Sequence, residues 1–205
     1  MLSGIRNIIF DLGGVILDIN IEKTKQAFRD IGFNDIDHLF GLGHAASYFL
    51  DHETGALSDE DFINRISSSI EGQQSDSVIN AWNAMLLQFP EERIHKLIEL
   101  GKKYRLFLFS NTNGIHYEAF TSLYAANFGG GRLDDLFEKA YYSHRMKMRK
   151  PDKAAFEYIL EANRLEAAET LFVDDAKINL EGAAQAGLKT FHITGDTTIL
   201  DLELT

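Results

Sequence analysis

The chain has 205 residues and a formal net charge of −11, with its 31 acidic side chains spread along the sequence rather than gathered in one tail. That charge argues against nucleic acid or an anionic membrane as partner and favours a cationic one, above all a metal ion. There is no cysteine, which excludes disulfides, thiolate metal sites and a cysteine nucleophile and is compatible with a reducing cytoplasm.

Apolar residues at 45% and charged residues at 25% are the ordinary balance of a globular protein. The length suits one α/β domain, or a core of about 130 residues with a smaller insertion. The opening MLSGIRNIIFD lacks the apolar length of a signal peptide. No run approaches the roughly 20 apolar residues of a membrane helix, so a soluble cytoplasmic protein is expected.

The first predicted element is a strand over Ile8, Ile9 and Phe10, short, β-branched and stopped by Gly13 and Gly14. Asp11 therefore stands where a strand meets a glycine turn. Such a carboxylate either acts on something bound in the crevice or caps the loop. Val15 to Leu17 form a second apolar run ending at Asp18, which is either a hinge contact or another turn cap.

From Ile21 to about Gln88 the pattern becomes helical, with Phe28, Ile31, Leu39 and Phe40 at mixed three and four spacing. Ser58 to Asp61 reads as a helix start, Ser58 being the N-cap and Asp61 the third helical position. Gly72 to Asp76 is a polar break, and Val78 to Leu87 resumes a helix carrying Trp82. The block reads as a small helical bundle inserted between two strands. Tyr48, Phe49 and Trp82 either line a substrate pocket or form the insert's own core. His44, between Gly43 and Ala45, is a candidate for a loop facing the site.

Beyond Pro90, helices and strands alternate. A helix over Pro90 to Lys103 precedes a strand at Arg105 to Phe109, whose end is Ser110-Asn111-Thr112-Asn113-Gly114. A helix from Ile115 to about Ala126 and a glycine turn lead to a strand over Lys139 to Ser143. Pro151 suits the first turn of the next helix, and Leu171 to Val173 form a strand ending in Asp174-Asp175. An alanine-rich helix from Ile178 to Ala186 is stopped by Gly187, and Thr190 to Ile193 form the last strand. This alternation implies parallel β-α-β units with right-handed crossovers.

Asp11, Ser110-Asn111 and Asp174-Asp175 end three of these strands, and Lys150 lies on a loop beside them, so one site at one sheet edge is expected. Converging carboxylates repel unless a hard cation joins them, and an all-oxygen set suits Mg²⁺. The inventory fits phosphoryl transfer. Asp11 is assigned as the nucleophile that forms an aspartyl-phosphate and Lys150 as the charge clamp, with a phosphorylated small molecule as substrate.

The ordered segments FDLGGVI, LFSNT, RKPD and FVDDAKINLEGAAQAGL resemble the four motifs of the haloacid dehalogenase superfamily of hydrolases. The resemblance covers nearly the whole chain. It implies a Rossmann-like three-layer core with a parallel sheet, residues 1–18 and 89–205, and a small α-helical cap, residues 19–88. It places Mg²⁺ on Asp11, the carbonyl of Gly13 and Asp175, supported by Asp174 and Asn179. Ser110 and Asn111 would hold the phosphate beside Lys150. Oligomeric state would be monomer or homodimer.

Phosphatases of this family usually carry a second aspartate two residues after the nucleophile as general acid, and here that position is Gly13. Such help is worth about 10²–10⁴-fold, so its loss implies slow turnover, a preference for good leaving groups, or a substitute acid. His116 and His144 are candidates for the substitute, against structural or surface roles. The paired Asp174-Asp175 favours a metal-dependent phosphatase over a metal-free dehalogenase. The glycine turn resembles the subgroup that includes bacterial α-glucose-1-phosphate phosphatases, which makes sugar phosphates the first substrate class to test. A low-turnover metal-binding or regulatory protein is the reading from another class.

Overall fold

The computed structural model describes residues 3–33, 36–37, 47–70, 75–195 and 197–204. Five parallel strands form its sheet: β1 (Asn7–Phe10), β2 (Arg105–Ser110), β3 (Lys139–Tyr142), β4 (Thr170–Asp174) and β5 (Lys189–His192), in the order β3-β2-β1-β4-β5. From β1 the chain works outward through β2 to β3, then crosses to β4 on the other side. The direction reverses at β1 and β4, and the crevice outside their carboxyl ends is where such sheets bind ligands.

Alternate strand residues feed the two faces. Ile8, Phe10, Leu106, Leu108, Leu171 and Val173 pack with Ile94 and Leu97 of α5 (Glu91–Gly101) and Phe120 of α6 (Gly114–Asn127). Ile9, Phe107, Phe109 and Phe172 face Phe156 and Ile159 of α8 (Lys153–Asn163) and Ala183 of α9 (Lys177–Gln185). The result is the three-layer α/β core expected. Buried on both faces, the three central strands β2, β1 and β4 read as continuous apolar runs rather than alternating ones.

Between β1 and β2 lie α1 (Ile21–Asp30), α2 (Ser47–Glu53), α3 (Asp59–Ser67) and α4 (Ser75–Asn83). They share a separate apolar cluster built on Phe28, Phe49, Phe62, Ile66, Val78 and Trp82, which takes in Ile115 of the core helix α6. The Phe62 ring lies 5.4 Å from Phe49 and 5.0 Å from Trp82, so these aromatics belong to the insert's own core. Ser58 caps α3 as the sequence suggests, accepting from the Asp61 amide at 3.1 Å. Leu39, Phe40, His44 and residues 72–74 of the polar break lie outside the described residues, whereas Ser75 and Asp76, expected in that break, already belong to α4.

Three elements depart from the sequence expectation. α4 stops at Asn83, because Met85 to Gln88 pair with the outgoing chain: Asp18 N–H donates to the Gln88 carbonyl, Leu87 N–H to that of Asp18, and Asn20 N–H to that of Met85. Entry and exit of the insertion thus form a short two-stranded connection. Ser143 ends no strand but opens a one-turn helix, α7 (Ser143–Met146). Pro151 precedes Asp152, the N-cap of α8, rather than filling its first turn.

Candidate active site

The Asp11 amide donates to the Val173 carbonyl at 2.9 Å, extending the β1 ladder by one residue and fixing Asp11 at the crevice. The side chain is then held by Lys150, whose Nζ lies 2.6 Å from Asp11 Oδ1 and 2.8 Å from Asp174 Oδ2. The Lys150 side chain is 1% exposed. Its ammonium also sits 5.6 Å and 5.5 Å from the Phe109 and Phe172 ring centroids. An ammonium so buried is tolerated only when paired on several sides.

The loop carrying Lys150 is pinned by its backbone. Asn111 Nδ2 donates to the Lys150 carbonyl and the Lys150 amide donates to Asn111 Oδ1, both at 2.9 Å. The Asn111 side chain is thereby committed to positioning Lys150. α9 seals the other side: a Cβ on Gly182 would stand 2.1 Å from the Pro151 carbonyl oxygen, so only glycine permits this approach.

Asp174 is fully buried and saturated. Besides Lys150, it accepts from the Ala176 amide at 2.7 Å and from Asn179 Nδ2 at 3.1 Å. Asp175, the exposed member, leans over Gly14, which has φ +74° and where a Cβ would meet Asp175 Oδ2 at 2.3 Å. Oxygen atoms of Asp11, Asp174 and Asp175 lie within 4.8 Å of one another. Ser110 is buried at the end of β2, on the wall of a cavity shared with Gly13 and Asn111.

Three carboxylates thus face one lysine. Burial, opposed by Lys150 and then reinforced by Asp174, pushes the Asp11 carboxyl up to about 7. Burial and then the Asp174 charge raise Asp175 as well. Lys150 stays charged, because the two carboxylates outweigh its desolvation. The cluster is short of positive charge. The Gly13 carbonyl accepts no hydrogen bond among the described residues, so a hard oxygen-seeking cation such as Mg²⁺ fits the donors present.

The two histidines do not join this cluster. His116 Nε2 donates to the Trp82 carbonyl at 3.1 Å, its Nδ1 accepts from Asn113 Nδ2 at 3.2 Å, and its ring stacks on Trp82 at 4.8 Å. Both nitrogens are used, and burial drives its pKa down to about 4, so the ring is neutral. His144 is half-buried near the Tyr117 and Tyr142 rings, and burial and then Arg145 lower its pKa. Asp18 binds Arg93 at 2.9 Å at the connection between insertion and core.

Several joining residues were invisible as such in the sequence. Arg149 Nε pairs with Glu53 Oε1 at 2.6 Å, and Ser143 Oγ donates to the Glu53 carbonyl at 2.7 Å. The end of α2 is thus tied to the loop that bears Lys150. Asp59 pairs with His52 at 2.6 Å and lies over the N-terminus of α6, where a Cβ on Gly114 would meet its Oδ2 at 2.1 Å. Ser58 to Asp61 signalled a helix start, but no local pattern gives the second use of Asp59.

A family model for haloacid dehalogenase-like hydrolases matches residues 5–187. The D-ribitol-5-phosphate phosphatase of Bacteroides thetaiotaomicron is 30% identical over 190 residues, spanning 92% of this chain and 91% of that protein. A haloacid dehalogenase family enzyme of the same organism, solved with magnesium and inorganic phosphate, superposes with a TM-score of 0.83 at 30% identity, covering 94% of this chain and 96% of that one. A predicted HAD-like hydrolase from Porphyromonas gingivalis gives 0.83 at 33% identity, covering 92% and 90%.

Proposed function

The chain belongs to the haloacid dehalogenase-like hydrolases, and on that premise we propose that it is a Mg²⁺-dependent phosphomonoesterase acting on a small metabolite, with sugar phosphates the first class to test. The observation that carries this reading is the buried Lys150 bridging Asp11 and Asp174 beside a third carboxylate. The phosphatase relatives and the relative solved with magnesium and phosphate support it.

Asp11 is the nucleophile. One of its oxygens attacks phosphorus, the bond to the leaving oxygen breaks, and water then cleaves the aspartyl-phosphate and regenerates the carboxylate. Lys150 orients Asp11 and neutralises charge on the transferring group. Ser110 and the Asn111 segment hold the phosphate, Ser110 through its hydroxyl and Asn111 by fixing Lys150. Asp11, the Gly13 carbonyl and Asp175 would hold Mg²⁺, with Asp174 and Asn179 keeping that set in place; bound there, the ion supplies charge stabilisation to the phosphoryl oxygens.

Residues 19–88 act as a cap over the crevice, turning about the connection formed by Asp18 to Asn20 and Met85 to Gln88. The site residues named come from one chain, which suits a monomer or a homodimer of independent sites, and the absence of cysteine suits the cytoplasm. Phosphate release from a panel of sugar phosphates and an aryl phosphate tests the reading. Turnover should require Mg²⁺ and vanish in Asp11→Asn. Turnover that survives chelation or that substitution would reject it.

A further inference from the structure

Glu53 closes α2 and touches two segments of the core at once. Its carboxylate pairs with Arg149 Nε at 2.6 Å, one residue before Lys150, and its main-chain carbonyl accepts from Ser143 Oγ at 2.7 Å. On the core side Ser143 Oγ accepts from the Thr112 amide at 2.8 Å, one residue after Asn111. The Asn111 side chain in turn bonds the Lys150 main chain in both directions. These contacts close a ring that runs from Glu53 through Arg149, Lys150, Asn111, Thr112 and Ser143 back to Glu53. Glu53 is its member from the insertion, and the other five belong to the core.

Ser143 is the buried joint of this ring, with no exposed surface of its own. A hydroxyl carries one proton, and two carbonyls stand within its reach, Glu53 at 2.7 Å and Thr112 at 2.9 Å. With the insertion seated, the proton goes to Glu53. Once the insertion lifts, a turn of the hydroxyl gives the proton to Thr112, so the joint opens without stranding a buried donor. The turn after α2 is shaped for this seat. Gly55 has φ +68°, and a Cβ there would overlap the His144 carbonyl oxygen, so backbone lies directly on the backbone of α7.

We propose that Ser143 is a positioning residue that couples seating of the insertion to the hold of Ser110, Asn111 and Lys150 on the phosphoryl group. This rests on the phosphatase reading above. Seating α2 tightens the ring and thereby fixes both segments that face the phosphate. By linkage, phosphate bound between those segments must favour the seated insertion by the same factor.

The test is calorimetric titration of the full chain with inorganic phosphate at saturating Mg²⁺, for wild type, Ser143→Ala, Gly55→Ala, their double variant and Ile66→Val. Ser143→Ala and Gly55→Ala should each weaken phosphate by at least about fivefold, the low end of coupling between linked sites. The double variant should lose little more than the weaker-binding single variant, because both open one ring. Ile66→Val thins the insertion's own core. It should lower Tm and leave phosphate affinity unchanged, which separates positioning from general destabilisation. Hydrogen exchange of wild type needs no variant: phosphate with Mg²⁺ should slow exchange over residues 47–57. Unchanged affinity in both single variants, additive losses in the double variant, an equal loss in Ile66→Val, or no slowing over residues 47–57 overturns the coupling and leaves the phosphatase reading standing. A wild type that neither binds phosphate nor hydrolyses any phosphate ester with Mg²⁺ overturns both.

Discussion

Acid should loosen the joint between insertion and core through His116. The ring is neutral with a pKa near 4 because it is buried, whereas an imidazole in the unfolded chain titrates near 6.5. Protonation would put a hydrogen on Nδ1, which faces the Asn113 Nδ2 donor at 3.2 Å. Rotating the Asn113 amide would not relieve this, because Asn113 Oδ1 accepts from the His116 amide at 3.0 Å and from Trp82 Nε1 at 3.4 Å. The folded-state pKa is depressed, so the unfolded state binds the extra proton below about 6.5. Stability is therefore lost as pH falls through the window from about 6.5 to about 4. For one group with these values the loss between pH 7 and pH 4.5 is about 2 kcal/mol. Urea unfolding of wild type and His116→Gln across that range, in chelator, isolates the effect, since titrations common to both proteins cancel in the difference. The variant should be less stable at pH 7, with the gap narrowing by about 2 kcal/mol at pH 4.5. A gap independent of pH would refute the argument, whatever its size.

Further outcomes follow from the cluster and the joint. Lys150→Met leaves Asp11 and Asp174 facing each other without their shared cation, and should cost about 3–5 kcal/mol in urea unfolding with chelator, together with loss of phosphate release. Gly14→Ala places a methyl group against Asp175 from a left-handed backbone position. Calorimetry should find Mg²⁺ affinity reduced by about 10–100-fold, with at least about 1 kcal/mol of stability lost. The Arg149–Glu53 pair is about 30% exposed on each side. A double-mutant cycle of Arg149→Met with Glu53→Gln should therefore give a coupling of only about 0.5–1 kcal/mol in unfolding.

The centre of the sheet was legible because strands buried on both faces leave unbroken apolar runs, and because chemistry-bearing residues follow directly on three of those runs. Asp11, Ser110 and Asp174 could be placed at one edge from that alone, since a parallel sheet aligns its carboxyl ends. The joint was not legible. Asp59 looked like a helix-start acid and Arg149 like part of a loop motif, whereas their partners, Gly114 and Glu53, are distant in sequence and signalled by no spacing. Asn111 is a related case: its place beside the site could be read, but not that its amide is consumed by the Lys150 backbone. α4 ends earlier than its sequence pattern implies because Met85 to Gln88 continue the apolar helical pattern, and only the distant partner segment at Asp18 to Asn20 converts them to extended chain. His116 was open between acid and structural roles, and its burial against Trp82 decides for structure.

The most direct measurement is to quench wild type during turnover of an aryl phosphate with Mg²⁺, digest it in acid and locate any phosphoryl group by mass spectrometry. An Asp11 nucleophile predicts one phosphoryl group on the peptide Asn7 to Asp18, at Asp11, absent from Asp11→Asn and from the chelated enzyme. Phosphate release with the label on any other residue would contradict it.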